Sequence, residues 1–209
     1  AITLATELGV LMNFSPRLAH HQRQIPNVFL ANIDPDIQMQ LLRLIGRPRL
    51  IGLDSMNLWI NHKRSSLKRL MKKIHLFVAN DGEARQLSQE HNLIKAAKAL
   101  RKMGPSYIVI KKGEHGVLFY CDQFMFSFPA FPVEHVVDPT GAGDTFAGGL
   151  MGYLTKAGQV NEQTLRRALI YATTLSSFNV EGFGMAKTAP LTMAQVKKRM
   201  DKLIKFIAV

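Results

Sequence analysis

The stretch Val136-Val-Asp-Pro-Thr-Gly-Ala-Gly-Asp-Thr-Phe-Ala-Gly-Gly149 decides the fold of this chain. Its residues predict the end of a strand, a turn that contains glycine, and a helix that begins near Ala142. The first backbone N–H groups of a helix have no partner within the helix and carry the positive end of its dipole. Gly141 and Gly143 lack a Cβ, so this backbone can approach a phosphate closely. The stretch therefore predicts an anion-binding turn between a strand and a helix.

The residue after the second glycine, Asp144, adds chemistry to that turn. A carboxylate competes with a phosphate for the same positive field, so a turn that only bound anions would omit it. Asp144 is therefore the candidate base that accepts a proton from a hydroxyl group attacking the phosphate. The N–H groups of Gly141 to Gly143 would stabilise charge on the transferred group. An ordinary helix start, with Asp138 or Thr140 as N-cap, fits the same residues. The spacing does not decide between this alternative and a phosphoryl-transfer site.

Outside this stretch, short apolar runs alternate with helical patterns, which is typical of a mainly parallel sheet covered by helices. We predict a single α/β domain over residues 1–209. The predicted strands are residues 28–32, 49–54, 75–79 and 107–110, followed by a hairpin of 116–121 and 124–129. The predicted helices are residues 36–45, 58–73, 83–103, 142–156, 162–179 and 192–207.

The composition is that of a globular chain, with 47% hydrophobic and 20% charged residues, which excludes a disordered tail. No apolar run reaches the roughly 18 residues that a membrane span needs, so we expect no membrane partner. The single cysteine, Cys121, cannot form an internal disulfide. This favours a reducing compartment, and we expect the protein in the cytoplasm.

The formal net charge is +12, from 27 Lys and Arg against 15 Asp and Glu. Such an excess favours anionic partners, nucleic acid among them. However, the basic residues of 62–73 and 197–205 alternate with apolar residues at helical spacing, as on the solvated faces of amphipathic helices. We therefore expect no nucleic-acid partner.

The stretch Asp138-Pro-Thr-Gly-Ala-Gly-Asp144 closely resembles the signature of the ribokinase-like (PfkB) carbohydrate kinase family, Asp-Thr-x-Gly-Ala-Gly-Asp followed by a helix. This chain departs from the signature at Pro139, where Thr is usual. An Asn-x-x-Glu motif at 80–83 and a Gly-x-x-Gly turn at 113–116 match two further family features in the family's order. The resemblance covers nearly the whole chain. It implies a mainly parallel sheet flanked by helices on both faces.

The resemblance also implies roles for individual residues. Asp144 matches the catalytic base, and the anion hole is matched by Gly141, Ala142 and Gly143. Asn80 and Glu83 match the pair that organises Mg²⁺, its waters and the phosphates of ATP. From the residues alone, this pair would be interpreted as a capping box.

Further residues match the nucleotide side of the family's site. Lys111 and Gly113 match the region near the nucleotide, and Gly116 matches the turn beside it. The segment Asn179-Val-Glu-Gly-Phe-Gly184, which includes Gly182, resembles the loop beside the adenine and a monovalent cation. Asp138 and Thr140 match positions that bind this cation in some members, with K⁺ as the candidate ion.

Members of this family are longer than this chain, and the resemblance places the additional part before Ala1. That part carries the first strands, a Gly-Gly motif, most acceptor-contacting residues, and a small β-lid through which many members form homodimers. We therefore expect an incomplete kinase domain with an exposed sheet edge, active only where the remaining part is supplied.

The residues and the resemblance are compatible with three functions. The leading hypothesis is an ATP-dependent phosphotransferase that phosphorylates a hydroxymethyl group of a sugar or nucleoside. The alternative is a truncated, non-catalytic relative that binds a nucleotide or a sugar. The hypothesis of a nucleic-acid-binding protein ranks third, because only the net charge supports it. The identity of the acceptor is not predicted.

Overall fold

Six strands form one sheet whose spatial order follows the chain. The computed structural model describes residues 7–208, so both ends of the predicted 1–209 domain lie outside the described residues. Four parallel strands are continued by two antiparallel ones, which confirms the mainly parallel sheet and its hairpin. The strand predicted to end before the glycine turn is wrong, because residues 129–141 contain no strand. The strands are β1 Asn27–Leu30, β2 Leu50–Asp54, β3 Leu76–Asn80, β4 Tyr107–Lys111, β5 Val117–Tyr120 and β6 Met125–Phe128.

Helices connect the parallel strands and follow the hairpin. They are α1 Pro35–Leu44, α2 Asn57–His62, α3 Arg64–Met71, α4 Asp81–Ser88, α5 Leu93–Lys102, α6 Ala142–Ala157, α7 Glu162–Asn179 and α8 Met193–Ile207. Within the described range, no helix is both long enough and apolar enough to cross a bilayer.

The sheet separates two apolar cores. On one face, α1 to α5 cover a cluster that includes Leu53 and Phe77, both fully buried. On the other face, α6 and α7 cover a cluster that includes Val78 and Phe119. Successive residues of a strand point to opposite faces, so β3 supplies Phe77 to one core and Val78 to the other. Burial on both faces explains why β3 is a continuous apolar run rather than an alternating one.

Two of the predicted helices are each broken into two. The helix predicted over 83–103 ends at Gln89, whose φ of 63° is left-handed, and a new helix begins after Asn92. The Asn92 side chain accepts hydrogen bonds from the N–H groups of Ile94 and Lys95, which fixes that new start. The helix predicted over 58–73 is broken at Lys63. Apolar spacing continues across both breaks, so periodicity alone did not reveal them.

Candidate active site

The last residues of three neighbouring parallel strands lie together at one edge of the sheet. Asp54 ends β2, Asn80 ends β3 and Lys111 ends β4. Lys111 Nζ lies 3.3 Å from Asp54 Oδ2, and these side chains are only 19% and 13% exposed. Burial raises the pKa of Asp54, while the ammonium group of Lys111 acts in the opposite direction. This partly dehydrated ion pair lies at the carboxyl edge of the parallel strands, where open α/β sheets bind ligands.

Asn80 and Glu83 form a reciprocal cap at the start of α4. Asn80 Oδ1 accepts from the Glu83 N–H, and Glu83 Oε2 accepts from the Asn80 N–H, each at 2.8 Å. Burial raises the pKa of Glu83 to about 7, and the negative charge of Asp54 adds to that rise. The cap thus fixes a buried carboxyl group within electrostatic range of the Asp54–Lys111 pair.

The N-terminus of α6 reaches the same cluster from across the sheet edge. A Cβ placed on Gly143 would lie 3.1 Å from Lys111 Nζ, so the lysine ammonium lies directly against the glycine turn. Asp144 is exposed in the first turn of α6, and its charge contributes to the raised pKa of Asp54. The structure therefore brings the predicted base, Lys111 and Asp54 to one place.

The turn before α6 leaves the helix without a capping side chain. Gly141 is the N-cap and has a left-handed φ of 81°, which glycine adopts without strain. Asp138 does not cap α6, because its side chain accepts from the Thr140 N–H at 2.9 Å, and this hydrogen bond lowers the pKa of Asp138. Thr140 does not cap it either, so the expectation that Asp138 or Thr140 is the N-cap is wrong. Among the three predicted anion-hole amides, the Ala142 N–H donates to the Pro139 carbonyl at 3.2 Å.

The segment 179–184 packs against this turn. The carbonyl of Val180 accepts from the N–H groups of Val137 and Asp138 at 2.8 and 3.2 Å. The N–H of Gly184 also contributes to the low pKa of Asp138. The loop predicted to border the nucleotide therefore lies beside the two residues predicted to bind a monovalent cation.

Asn179 joins the same loop to the glycine turn. Its Nδ2 donates to the Gly184 carbonyl at 3.1 Å, and its side chain lies against Gly141. Asn179 is 3% exposed, and its Oδ1 has no hydrogen-bond partner among the described residues. Gly182 lies under the side chain of Lys187, with no room for a Cβ.

The turn after β4 contains the two glycines that were predicted to lie near the nucleotide. Gly113 begins a short 3₁₀ turn, and a Cβ at this position would meet open space. At Gly116 a Cβ would lie 2.0 Å from the carbonyl oxygen of Phe128. Gly116 is therefore required by the close approach of β6, whatever its relation to a nucleotide.

Sequence reasoning missed two residues of this region. Asp54 ends an apolar strand, and its residue type does not show whether the carboxylate is solvated or paired. The informative signal was its position at the end of a parallel strand next to β3. Asn179 was noted only as the start of the 179–184 segment. Its signal, an amide residue at the end of an apolar helix, is weak.

No group of three or more His, Cys, Asp or Glu side chains within residues 7–208 could hold a metal ion. The oxygen atoms of Asn80 and Glu83 nevertheless fit Mg²⁺, which prefers oxygen ligands, keeps several waters and is often bound through few carboxylates plus substrate phosphates. A magnesium ion would therefore depend on the nucleotide for part of its coordination.

Comparison with known proteins matches residues 52–191 to the family model described as pfkB family carbohydrate kinase. A curated relative, the cytidine kinase of Thermococcus kodakarensis, is 34% identical over 67% of this chain. This chain spans 51% of that relative's length.

Two solved structures share the fold. The nucleoside kinase of Methanocaldococcus jannaschii superposes with a TM-score of 0.71 at 19% identity, covering 92% of this chain and 60% of that one. A putative ribokinase II from E. coli, in complex with ATP and Mg²⁺, gives a TM-score of 0.67 at 20% identity. That match covers 82% of this chain and 58% of the other.

Proposed function

This chain belongs to the pfkB family of carbohydrate kinases, and we propose from that premise that it phosphorylates a sugar or nucleoside. The reaction would transfer the γ-phosphoryl group of ATP to a hydroxymethyl group. The observation that carries this proposal is the start of α6, which has no capping side chain, carries Asp144 in its first turn, and has the ammonium of Lys111 against Gly143. An uncapped helix N-terminus beside a lysine suits a phosphoryl group, and an exposed carboxylate at the same place suits a proton acceptor.

The carboxylate of Asp144 takes the proton of the acceptor hydroxyl while the hydroxyl oxygen forms a bond to the γ-phosphorus. The bond between that phosphorus and the β–γ bridging oxygen breaks, and ADP leaves. The N–H groups of Gly141 and Gly143, with Lys111, would stabilise the charge on the equatorial oxygens. The Ala142 N–H would join them only by releasing the Pro139 carbonyl.

Other residues would hold the nucleotide and its ions. Asn80 and Glu83 would hold Mg²⁺ through water, and Asp138 and Thr140 would bind a monovalent cation, with K⁺ as the candidate. When bound, Mg²⁺ neutralises charge on the phosphates. The residues proposed to line the nucleotide are Lys111, Gly113, Gly116, Gly182 and Gly184. We further propose that the protein is cytoplasmic and forms a homodimer through a lid. We expect neither a nucleic-acid partner nor a membrane partner.

The substitution Asp144→Asn tests the central role. Loss of the proton acceptor should lower kcat by about 10²–10⁴-fold while ATP binding persists. The measurement is ADP release by the complete protein across a panel of sugars and nucleosides. Asp201→Asn, at an exposed position of α8, is the matched control and should keep the parent rate.

An Asp144→Asn protein that turned over at the parent rate would contradict the proposed base. The second candidate function is a non-catalytic protein that binds a nucleotide or a sugar. Binding of ATP by the parent without turnover of any acceptor would support this second function instead.

A further inference from the structure

Arg199 of α8 makes an unusual number of polar and aromatic contacts for a residue outside the candidate active site. Its Nη2 lies 2.9 Å from Glu181 Oε2, and its Nη1 donates to Ser177 Oγ at 3.2 Å. The guanidinium carbon lies 3.5 Å from the centre of the Phe178 ring and 5.0 Å from that of Phe131. The Arg199 side chain is only 17% exposed, so these contacts are largely shielded from water.

These partners belong to the two segments that border the start of α6. Glu181 is part of the 179–184 loop, and Ser177 and Phe178 form the last turn of α7 before it. Phe131 lies in the segment that runs from the end of β6 to the glycine turn. Arg199 therefore contacts both of the segments that the Val180 hydrogen bonds join directly.

The contacts need the chemistry of arginine. A guanidinium group is planar, so it can stack on an aromatic ring while its N–H groups donate in the plane to a carboxylate and a hydroxyl. A lysine ammonium at this position would keep the charge but would lose the stacking geometry and part of the hydrogen bonding. The set of contacts is therefore specific for arginine, beyond the requirement for a positive charge.

We propose that Arg199 is a positioning residue for the nucleotide. It holds the 179–184 loop against the segment that carries Asp138 and Gly141, and so fixes the wall that the nucleotide would contact. The inference rests on the proposed function, because the nucleotide site is part of that proposal. Arg199 contacts none of Asp54, Lys111 and Asp144 in the described structure, so its loss should alter nucleotide binding more than the chemical step.

Two substitutions in the complete protein test this role. Arg199→Lys keeps the charge but loses the planar stacking, and Glu181→Gln keeps the shape of the partner but loses its charge. We expect each to raise KM for ATP about tenfold and to change kcat by less than about threefold. Lys198→Ala, at an exposed position of the same helix, is the matched control and should keep both constants.

Amide hydrogen exchange in the ligand-free protein gives a readout that does not depend on activity. The N–H groups of Val137 and Asp138 should exchange faster in Arg199→Lys and Glu181→Gln than in Lys198→Ala, because their acceptor loop is less well held. A parent protein that transferred no phosphoryl group would contradict the proposed function alone. In that case the exchange rates, with the dissociation constant for ATP in place of KM, would still test Arg199.

Three results would overturn the inference. These are an unchanged affinity for ATP in both variants, a fall in kcat at constant KM, and exchange rates equal to those of the Lys198→Ala control.

Discussion

Asp54 and Lys111 place a partly buried ion pair at the carboxyl edge of the sheet. Removing two charges from water costs several kcal/mol for each ion, and their mutual attraction offsets this only where the geometry is good. The pair is thus a poor way to stabilise a fold. It is a reasonable way to hold an ammonium group against the glycine turn, where a phosphoryl group would need it.

His75 allows a pH prediction at the same scale. Its Nδ1 accepts a hydrogen bond from the Ile51 N–H at 3.0 Å, which requires the neutral ring, and burial lowers the pKa of His75 below 6.5. Below pH 6.5 the unfolded chain therefore binds this proton more readily than the folded protein. The stability that neutral His75 contributes is fully present above pH 6.5 and is lost as the pH falls through the lowered, folded-state pKa.

The substitution His75→Asn should make the free energy of unfolding less dependent on pH between about pH 7.5 and about pH 5. The amide oxygen of asparagine can still accept from Ile51, but it does not titrate in this range. Urea unfolding at several pH values measures the difference. His91→Asn, at an exposed position, should keep the parent's pH dependence, and an equal change in both variants would contradict the prediction.

At the scale of elements, α6 contains adjacent glycines with opposite surroundings. A Cβ on Gly149 would lie 2.8 Å from Leu175 Cδ1 and 3.1 Å from Ala172 Cα, both on α7. A Cβ on Gly148 would meet nothing within 4 Å. Gly149 therefore permits the close packing of α6 on α7, whereas Gly148 makes no such contact with the described residues.

Alanine substitutions at these two positions should have opposite effects. Gly148→Ala should raise the free energy of unfolding by about 0.5–1 kcal/mol, because alanine favours helix. Gly149→Ala should lower it by about 1–3 kcal/mol, because the helices must separate or Leu175 must move. Urea midpoints at constant m-value report both effects. Stabilisation by Gly149→Ala would show that α6 does not pack on α7 as described.

The helices also show how far local patterns predict elements. The start of α4 at the Asn80–Glu83 cap can be predicted from residues that are close in the sequence. The same is true of the starts of α7 and α8 at Asn161 and Thr192. The break between α4 and α5 did not follow from them. It depends on a left-handed Gln89, a conformation that residues other than glycine adopt only occasionally.

At the scale of the whole molecule, one sheet joins two cores, and we propose that the chain is a single cooperative domain. Trp59, the only tryptophan, is 5% exposed and donates to Asn32 Oδ1, on the side covered by α1 to α5. Leu169, a residue of α7, is fully buried in the opposite core. The same sheet lies between the two cores, so unfolding of one core should disrupt the sheet on which the other core packs.

The substitution Leu169→Ala should lower the free energy of unfolding by about 2–5 kcal/mol. The transitions followed by Trp59 fluorescence and by far-UV circular dichroism should shift together, because a two-state domain unfolds as one unit. Leu67→Ala, in the core on the side of Trp59, is the reciprocal control and should shift both probes equally. A Trp59 transition that did not move in Leu169→Ala would divide the chain into two units.

The sequence by itself determined the mainly parallel sheet, the hairpin, the glycine turn and the family. These depend on apolar runs, turn residues and a motif, all of which are local in the chain. Only the tertiary structure showed that Lys111 pairs with Asp54, 57 residues away, and that its ammonium lies against Gly143. Only the tertiary structure showed, likewise, that Arg199 contacts both Glu181 of the 179–184 loop and Phe131 of the segment before the turn. These contacts depend on the order of strands and on helix packing. The residue types of the two partners do not carry that information.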